Sequence, residues 1–175
     1  MTRPQPPLAD PAVPANASAP DAVLEGHRFA RPLPDRVRGA LARAARTQSF
    51  PPGTMLFAEG EAHPQVYLVE RGDVRLDMHV PGRGDVPLLT VGPGELLGWS
   101  PFLGEGAMTA RATTAEETVA VVLPAAEVRR LCEADPKAGY HLMRQLAAAL
   151  SARLIATRLQ LLDFYAETTP PAATA

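Results

Sequence analysis

The sequence predicts an α+β chain, a small antiparallel β-roll flanked by an N-terminal helix and a long C-terminal helix. Three observations carry this. From Phe50 to Leu123 short apolar runs recur between turns marked by Gly and Pro, the spacing of a small all-β barrel or roll. Before them, Pro34-Asp35 opens a helical pattern that reaches about Arg46, with Val37, Leu41 and Ala45 on one face. After them, apolar residues from about Lys137 to Tyr165 follow a helical repeat.

Each element has its own local signal. The strands are read at Thr54–Phe57, Val66–Glu70, Val74–Val80, Val86–Val91, Ala107–Thr113 and Thr118–Leu123. Pro81-Gly82-Arg83-Gly84-Asp85 is a hairpin tip, and its Arg-Gly-Asp is read as a polar turn rather than an adhesion signal. Ala125–Ala134 reads as a short helix ended by Asp135-Pro136. Residues 1–22, rich in Pro and Ala, read as a disordered leader. The expected organisation is thus a leader at 1–22, a β-roll domain with its helix at 33–135, a long helix at 136–166 and a frayed tail at 167–175.

The long helix carries a second message. Met143, Ala147, Leu150, Leu154, Thr157, Leu161 and Phe164 alternate in steps of four and three, a heptad seam. Leu142, Leu146, Leu159 and Leu162 lie on neighbouring faces and are expected to pack on the roll. A helix that is apolar on more than one side needs two partners. The reading is a homodimer through this helix, against the alternative of purely intramolecular packing.

Composition excludes several classes. Seventeen Lys+Arg against nineteen Asp+Glu leave no basic excess for sequence-independent nucleic-acid binding. The lone Cys132 excludes an internal disulfide and a cysteine-based zinc site. His27, His63, His79 and His141 are scattered without metal-ligand spacing, and no nucleophile elbow or P-loop occurs. No window nears the ~18 apolar residues of a membrane span, and no apolar export region opens the chain. A cytoplasmic, non-enzymatic protein is expected, with no metal and no membrane partner.

The chemistry concentrates in Leu88–Pro124. Gly94-Glu95-Leu96-Leu97-Gly98 is a turn between a strand and a short helical segment. Such an element can hold a phosphate with backbone N–H groups and a nearby cation. Three further stretches stand with it in order: Pro52–Glu61, Val66–Leu76 and the long helix. Together they resemble the cyclic nucleotide-binding domain, most closely the sensor half of the Crp/Fnr bacterial regulators. The likeness runs from about Leu33 to Tyr165. It implies a β-roll of the jelly-roll type found in that family, and cAMP or cGMP as the ligand. It also implies that Glu95 accepts from a ribose hydroxyl while N–H groups near Leu96–Gly98 meet the phosphate.

The sequence departs from the family at one important place. The family carries Arg followed by Ser, Thr or Ala some ten residues after the cassette Gly, and that Arg binds the phosphate. Aligning Arg111-Ala112-Thr113 with the next strand puts Gly106 and Ala107 at that pair, and neither neutralises an anion. Arg111 is the only basic residue between Arg83 and Arg129. It is either a substitute cation or a surface residue. Trp99, the single Trp, either stacks on a planar ligand or fills space. Gly98-Trp99-Ser100 with Ala110-Arg111-Ala112 is similar to a subgroup of small stand-alone members. Thr157 matches a helix Thr that touches the purine in cAMP-sensing relatives, and Arg158 follows where these often carry Ser. The alternative for Thr157 is a polar seam residue that sets register.

Two functions follow. The first is a homodimeric small-molecule sensing module with ligand residues Gly94, Glu95, Leu96, Leu97, Gly98, Trp99, Arg111, Thr157 and Arg158. The second is a degenerate domain of the same fold that acts as a protein-interaction scaffold. About ten residues follow Tyr165 in this sequence, too few for a helix-turn-helix unit, so a module without direct DNA binding is expected. A Crp/Fnr-type transcriptional regulator is the third and weakest reading.

Overall fold

The computed structural model describes residues 18–103 and 107–168, with side chains described as far as Leu159. Most of the expected leader, part of the expected tail, Gly106, and the side chains of Leu161, Leu162 and Phe164 lie outside the described residues. Two helices come first, α1 (Pro20–Gly26) and α2 (Asp35–Ala44). Strands β1 (Arg46–Phe50), β2 (Met55–Phe57), β3 (Gln65–Arg71), β4 (Val74–Val80), β5 (Gly84–Val91) and β6 (Leu96–Leu97) follow. A 3-10 turn at Ser100–Phe102 precedes β7 (Arg111–Thr114) and β8 (Thr118–Pro124), and the chain continues through α3 (Ala125–Ala134) into α4 (Pro136–Thr168).

The strands form two four-stranded antiparallel sheets, ordered β1-β8-β3-β6 and β2-β7-β4-β5. The first sheet is buried on both faces, which explains the unbroken apolar runs of β3 and β8. Side chains alternate across a strand. Val66, Leu68, Val121 and Leu123 therefore join the helical core with Leu24, Leu41, Val128, Leu142 and Leu146. Tyr67, Val69, Ala120 and Val122 point the other way, into the core between the sheets with Phe57, Val74, Val91 and Leu97. The second sheet has a solvated outer face, and β5 accordingly carries mostly exposed residues.

One irregularity interrupts the central sheet. The β3–β8 ladder slips between Val69 and Arg71. Such a bulge bends the strand and takes one residue out of the ladder.

The structure corrects several sequence expectations. The second helix stops at Ala44, because Arg46–Phe50 pairs with β8 as an extra strand. Its polar Thr47 and Gln48 are buried, which no hydrophobic alternation announces. The strand expected over Ala107–Thr113 shrinks to Arg111–Thr114. Leu159, expected on the packing face of the long helix, is 56 % exposed. Helix α1 was not expected. Pro20 occupies its first turn, and Val23 and Leu24 enter the helical core.

Leu24 has no solvent exposure, so Leu24→Ala leaves a void in a packed site. It should lower unfolding free energy by about 2–5 kcal/mol, read from urea denaturation. An unchanged midpoint would show that α1 folds apart from the domain.

Candidate functional site

A cavity of about 740 Å³ lies between the turn at Gly94 and the helix α4. The turn supplies Gly94, Glu95 and Leu96, β5 supplies Pro87–Thr90, and α4 supplies Gln145, Ala148, Ala149, Ala152, Arg153, Ala156 and Thr157. Arg28 and Phe29, from the α1–α2 connection, and Arg75 of β4 complete the wall. Four alanines on one helical face leave room where larger side chains would fill it. The volume is within the ~300–1,000 Å³ range of small-molecule sites.

The turn is held to β3 by its own backbone. The Gly94 N–H donates to the Val69 carbonyl at 2.8 Å, and the Val69 N–H donates to the Glu95 carbonyl at 2.9 Å. Gly94 has φ +81°, and a Cβ there would lie 3.1 Å from the Cβ of Arg28. Both facts favour glycine. At Gly98, φ is +73° and a Cβ would lie 2.8 Å from the Gln65 carbonyl oxygen. That glycine lets β6 pass close beside β3, where Leu96 and Leu97 pair with Leu68 and Tyr67.

Glu95 has both carboxylate oxygens engaged. Oε2 accepts the Gly92 N–H at 3.0 Å, and Oε1 faces the Arg28 guanidinium at 3.2 Å. Across the cavity the half-buried Arg153 donates to the Leu96 carbonyl at 2.7 Å. Burial lowers its pKa from the usual arginine value, and the Glu95 charge opposes that shift. Thr157, one turn on, lines the cavity and donates its hydroxyl to the Arg153 carbonyl at 3.0 Å.

Of the nine residues the sequence singles out, Gly94, Glu95, Leu96 and Thr157 line this cavity. Five do not. Leu97 belongs to the core between the sheets, and Gly98 is buried beside Gln65 and Tyr67. Trp99, at the start of the 3-10 turn, packs against the helical core and is not part of the cavity lining. Arg158 is exposed outside the cavity lining.

Arg111 is not a cassette cation in this arrangement. Its guanidinium contacts Asp85 Oδ2 at 2.8 Å and Asp77 Oδ2 at 3.6 Å, on the second sheet. The buried Asp77 also accepts from Arg75 at 2.9 and 3.0 Å. The sequence reading missed all three cationic residues of the cavity wall, Arg28, Arg75 and Arg153. Arg153 had a signal, since it lies four residues before Thr157 on the same helix face.

His27 anchors the connection that carries Arg28. Its Nε2 donates to the Val69 carbonyl at 3.1 Å, while Nδ1 accepts the Phe29 N–H at 3.2 Å. A carbonyl only accepts and an N–H only donates, so both bonds require the neutral ring protonated at Nε2. Burial lowers its pKa to about 4, against a smaller opposing effect of the Val69 bond. His63 is also lowered by burial. Cys132, half-buried on α3, has its thiol pKa raised by burial and by Glu133, which suits a structural rather than a reactive thiol. Among the described residues no group of three or more His, Cys, Asp or Glu is placed to hold a metal ion. None of their helices is long and apolar enough to cross a membrane.

The class of fold is a β-roll whose glycine turn faces a long C-terminal helix across a cavity. Comparison with known proteins makes this specific. Residues 47–135 match the model of the cyclic nucleotide-binding domain, and the chain belongs to that family. It is 33% identical over 128 residues to the cyclic AMP receptor protein of Thermus thermophilus, covering 73% of this chain and 57% of that one. It is 30% identical over 111 residues to the CRP-like cAMP-activated global transcriptional regulator of Mycobacterium tuberculosis, covering 63% and 50%. The chain thus spans about half the length of the curated relatives it matches. A crystal structure of a cyclic nucleotide-binding domain from Methylobacillus flagellatus superposes with a TM-score of 0.72, covering 88% of this chain and 85% of that one. At 18% identity that likeness speaks for the fold alone.

The shift at His27 fixes a sign for pH. Its folded pKa lies below the usual 6.5, so the unfolded chain binds the extra proton first and stability falls as pH drops from about 6.5 towards about 4. A shift of that size corresponds to roughly 3 kcal/mol. Urea unfolding at pH 7 and pH 4 should show a loss of that order, and His27→Gln should reduce the slope. Equal slopes in the two proteins would show that His27 is not the group that titrates.

Proposed function

We propose that this chain is a homodimeric, cytoplasmic sensing module for a cyclic nucleotide or a closely similar small anion. The observation that carries the reading is the cavity itself. One wall is the Gly94–Leu96 turn, the other is α4, and the bond from Arg153 to the Leu96 carbonyl spans the two. A ligand seated there touches both elements, so its arrival is felt by the long helix. The charge fits as well. Arg75 is matched by Asp77, which leaves Arg28 and Arg153 against Glu95, one positive charge in excess. That balance favours a singly charged anion such as a cyclic phosphodiester. Membership of the family and the cAMP-related names of the relatives support the same choice.

The dimer rests on the outer face of α4. Tyr140, Met143, Leu154 and Ile155 are exposed there, three of them by more than half. Isolated surface leucines are ordinary, but a row on one helix marks a surface that another copy can cover.

Two measurements test this reading. Calorimetric titration of the full chain with cAMP and cGMP should show saturable binding, weakened by about 1.5–3 kcal/mol in Glu95→Ala. Absence of heat and of thermal stabilisation with either nucleotide would remove the ligand assignment. Light scattering behind a sizing column should give a dimer, and Leu154→Arg should give a monomer. A wild-type monomer at high concentration would sink the dimer.

A further inference from the structure

The cavity needs a counter-ion for an anion, and the cassette does not supply it. Arg111 is bound to Asp85 and Asp77 outside the cavity. Arg75 holds both oxygens of Asp77. Arg153 is half-buried and donates to the Leu96 carbonyl. Arg28 differs from all three. Its side chain is 70% exposed at the cavity wall, and among the described residues its charge partner is Glu95 Oε1 at 3.2 Å.

We propose that Arg28 is the anion-recognising residue of this cavity. The inference rests on reading the cavity as the ligand site. In this structure Arg28 neutralises Glu95. When a ligand carrying an anionic group and a neighbouring hydroxyl enters, Glu95 Oε1 accepts the hydroxyl and the guanidinium turns to the anion. Charge is conserved through the exchange, because one ion pair replaces another and the hydroxyl fills the vacated acceptor. The planar guanidinium suits this task, offering two parallel donors to a phosphate.

The backbone prepares Arg28 for that role. His27 on one side is tied to the Val69 carbonyl, and Phe29 on the other is buried and donates to His27. The same Val69 carbonyl accepts from Gly94. The connection that bears Arg28 and the turn that bears Glu95 thus hang from a single oxygen atom. Gly94 adds close packing beneath the Arg28 Cβ. The main chain is fixed while the side chain stays in solvent, which lowers the ordering cost of binding.

The test compares wild type, Arg28→Ala, Arg28→Lys and Arg111→Ala. Each full chain is titrated with cAMP at two salt concentrations, and its melting is followed with inorganic pyrophosphate. The expected result is a loss of cAMP affinity of roughly tenfold to a hundredfold in Arg28→Ala. Its salt dependence should weaken, Arg28→Lys should recover part of the affinity, and Arg111→Ala should match wild type. Equal cAMP affinity in wild type and Arg28→Ala overturns the assignment and leaves the ligand reading in place. A loss with unchanged salt dependence also overturns it, since the role is then structural. A wild type that ignores cAMP but is stabilised by pyrophosphate, in an Arg28-dependent way, keeps Arg28 and sinks the cyclic nucleotide. A wild type stabilised by neither anion overturns both.

Discussion

Val69 has no solvent exposure, and its peptide groups must find partners within the protein. Its N–H donates to Glu95, and its carbonyl accepts from both Gly94 and His27. A regular strand would spend these groups on neighbours within the sheet. Here they fasten the turn at Gly94 and the α1–α2 connection to the middle of the roll. One side of the cavity is fixed because the turn and the α1–α2 connection are both bonded to this residue.

The rest of the architecture keeps that point rigid. β3 lies between two cores, with helices on one side and the second sheet on the other. Displacing it would disturb both. Its partner β8 is buried for nearly its whole length. The rigid part of the molecule is thus the central sheet, while Glu95 and Arg28 stand at its border with solvent.

What the sequence makes legible depends on whether the signal is local. β4 and α3 match their expected limits, because alternation and a Pro boundary mark them directly. The Gly94 turn was legible because its glycines answer to local backbone demands. β1 was not, since its burial comes from pairing with β8 while its residues are polar. α1 was hidden in a stretch whose Pro and Ala content resembles its leader. For the site, Glu95 and Thr157 follow from motif position. Arg28 does not, because it lies 67 positions before Glu95 in the chain and only the fold brings them together. Arg111 stayed open between two readings for the same reason: the carboxylates that pair with it come from β4 and β5, which only the fold brings beside it.

The bond from Arg153 to the Leu96 carbonyl has a thermodynamic consequence. It joins the cavity wall to the helix whose outer face bears Leu154 and Ile155. Any partner that favours one placement of α4 also changes the free energy of filling the cavity. By linkage the converse holds with equal magnitude. An occupant that prefers one placement of the helix must alter the affinity of whatever covers its far side. If the cavity takes a ligand and the far side of α4 takes a partner, the two affinities are therefore not separate properties of the chain.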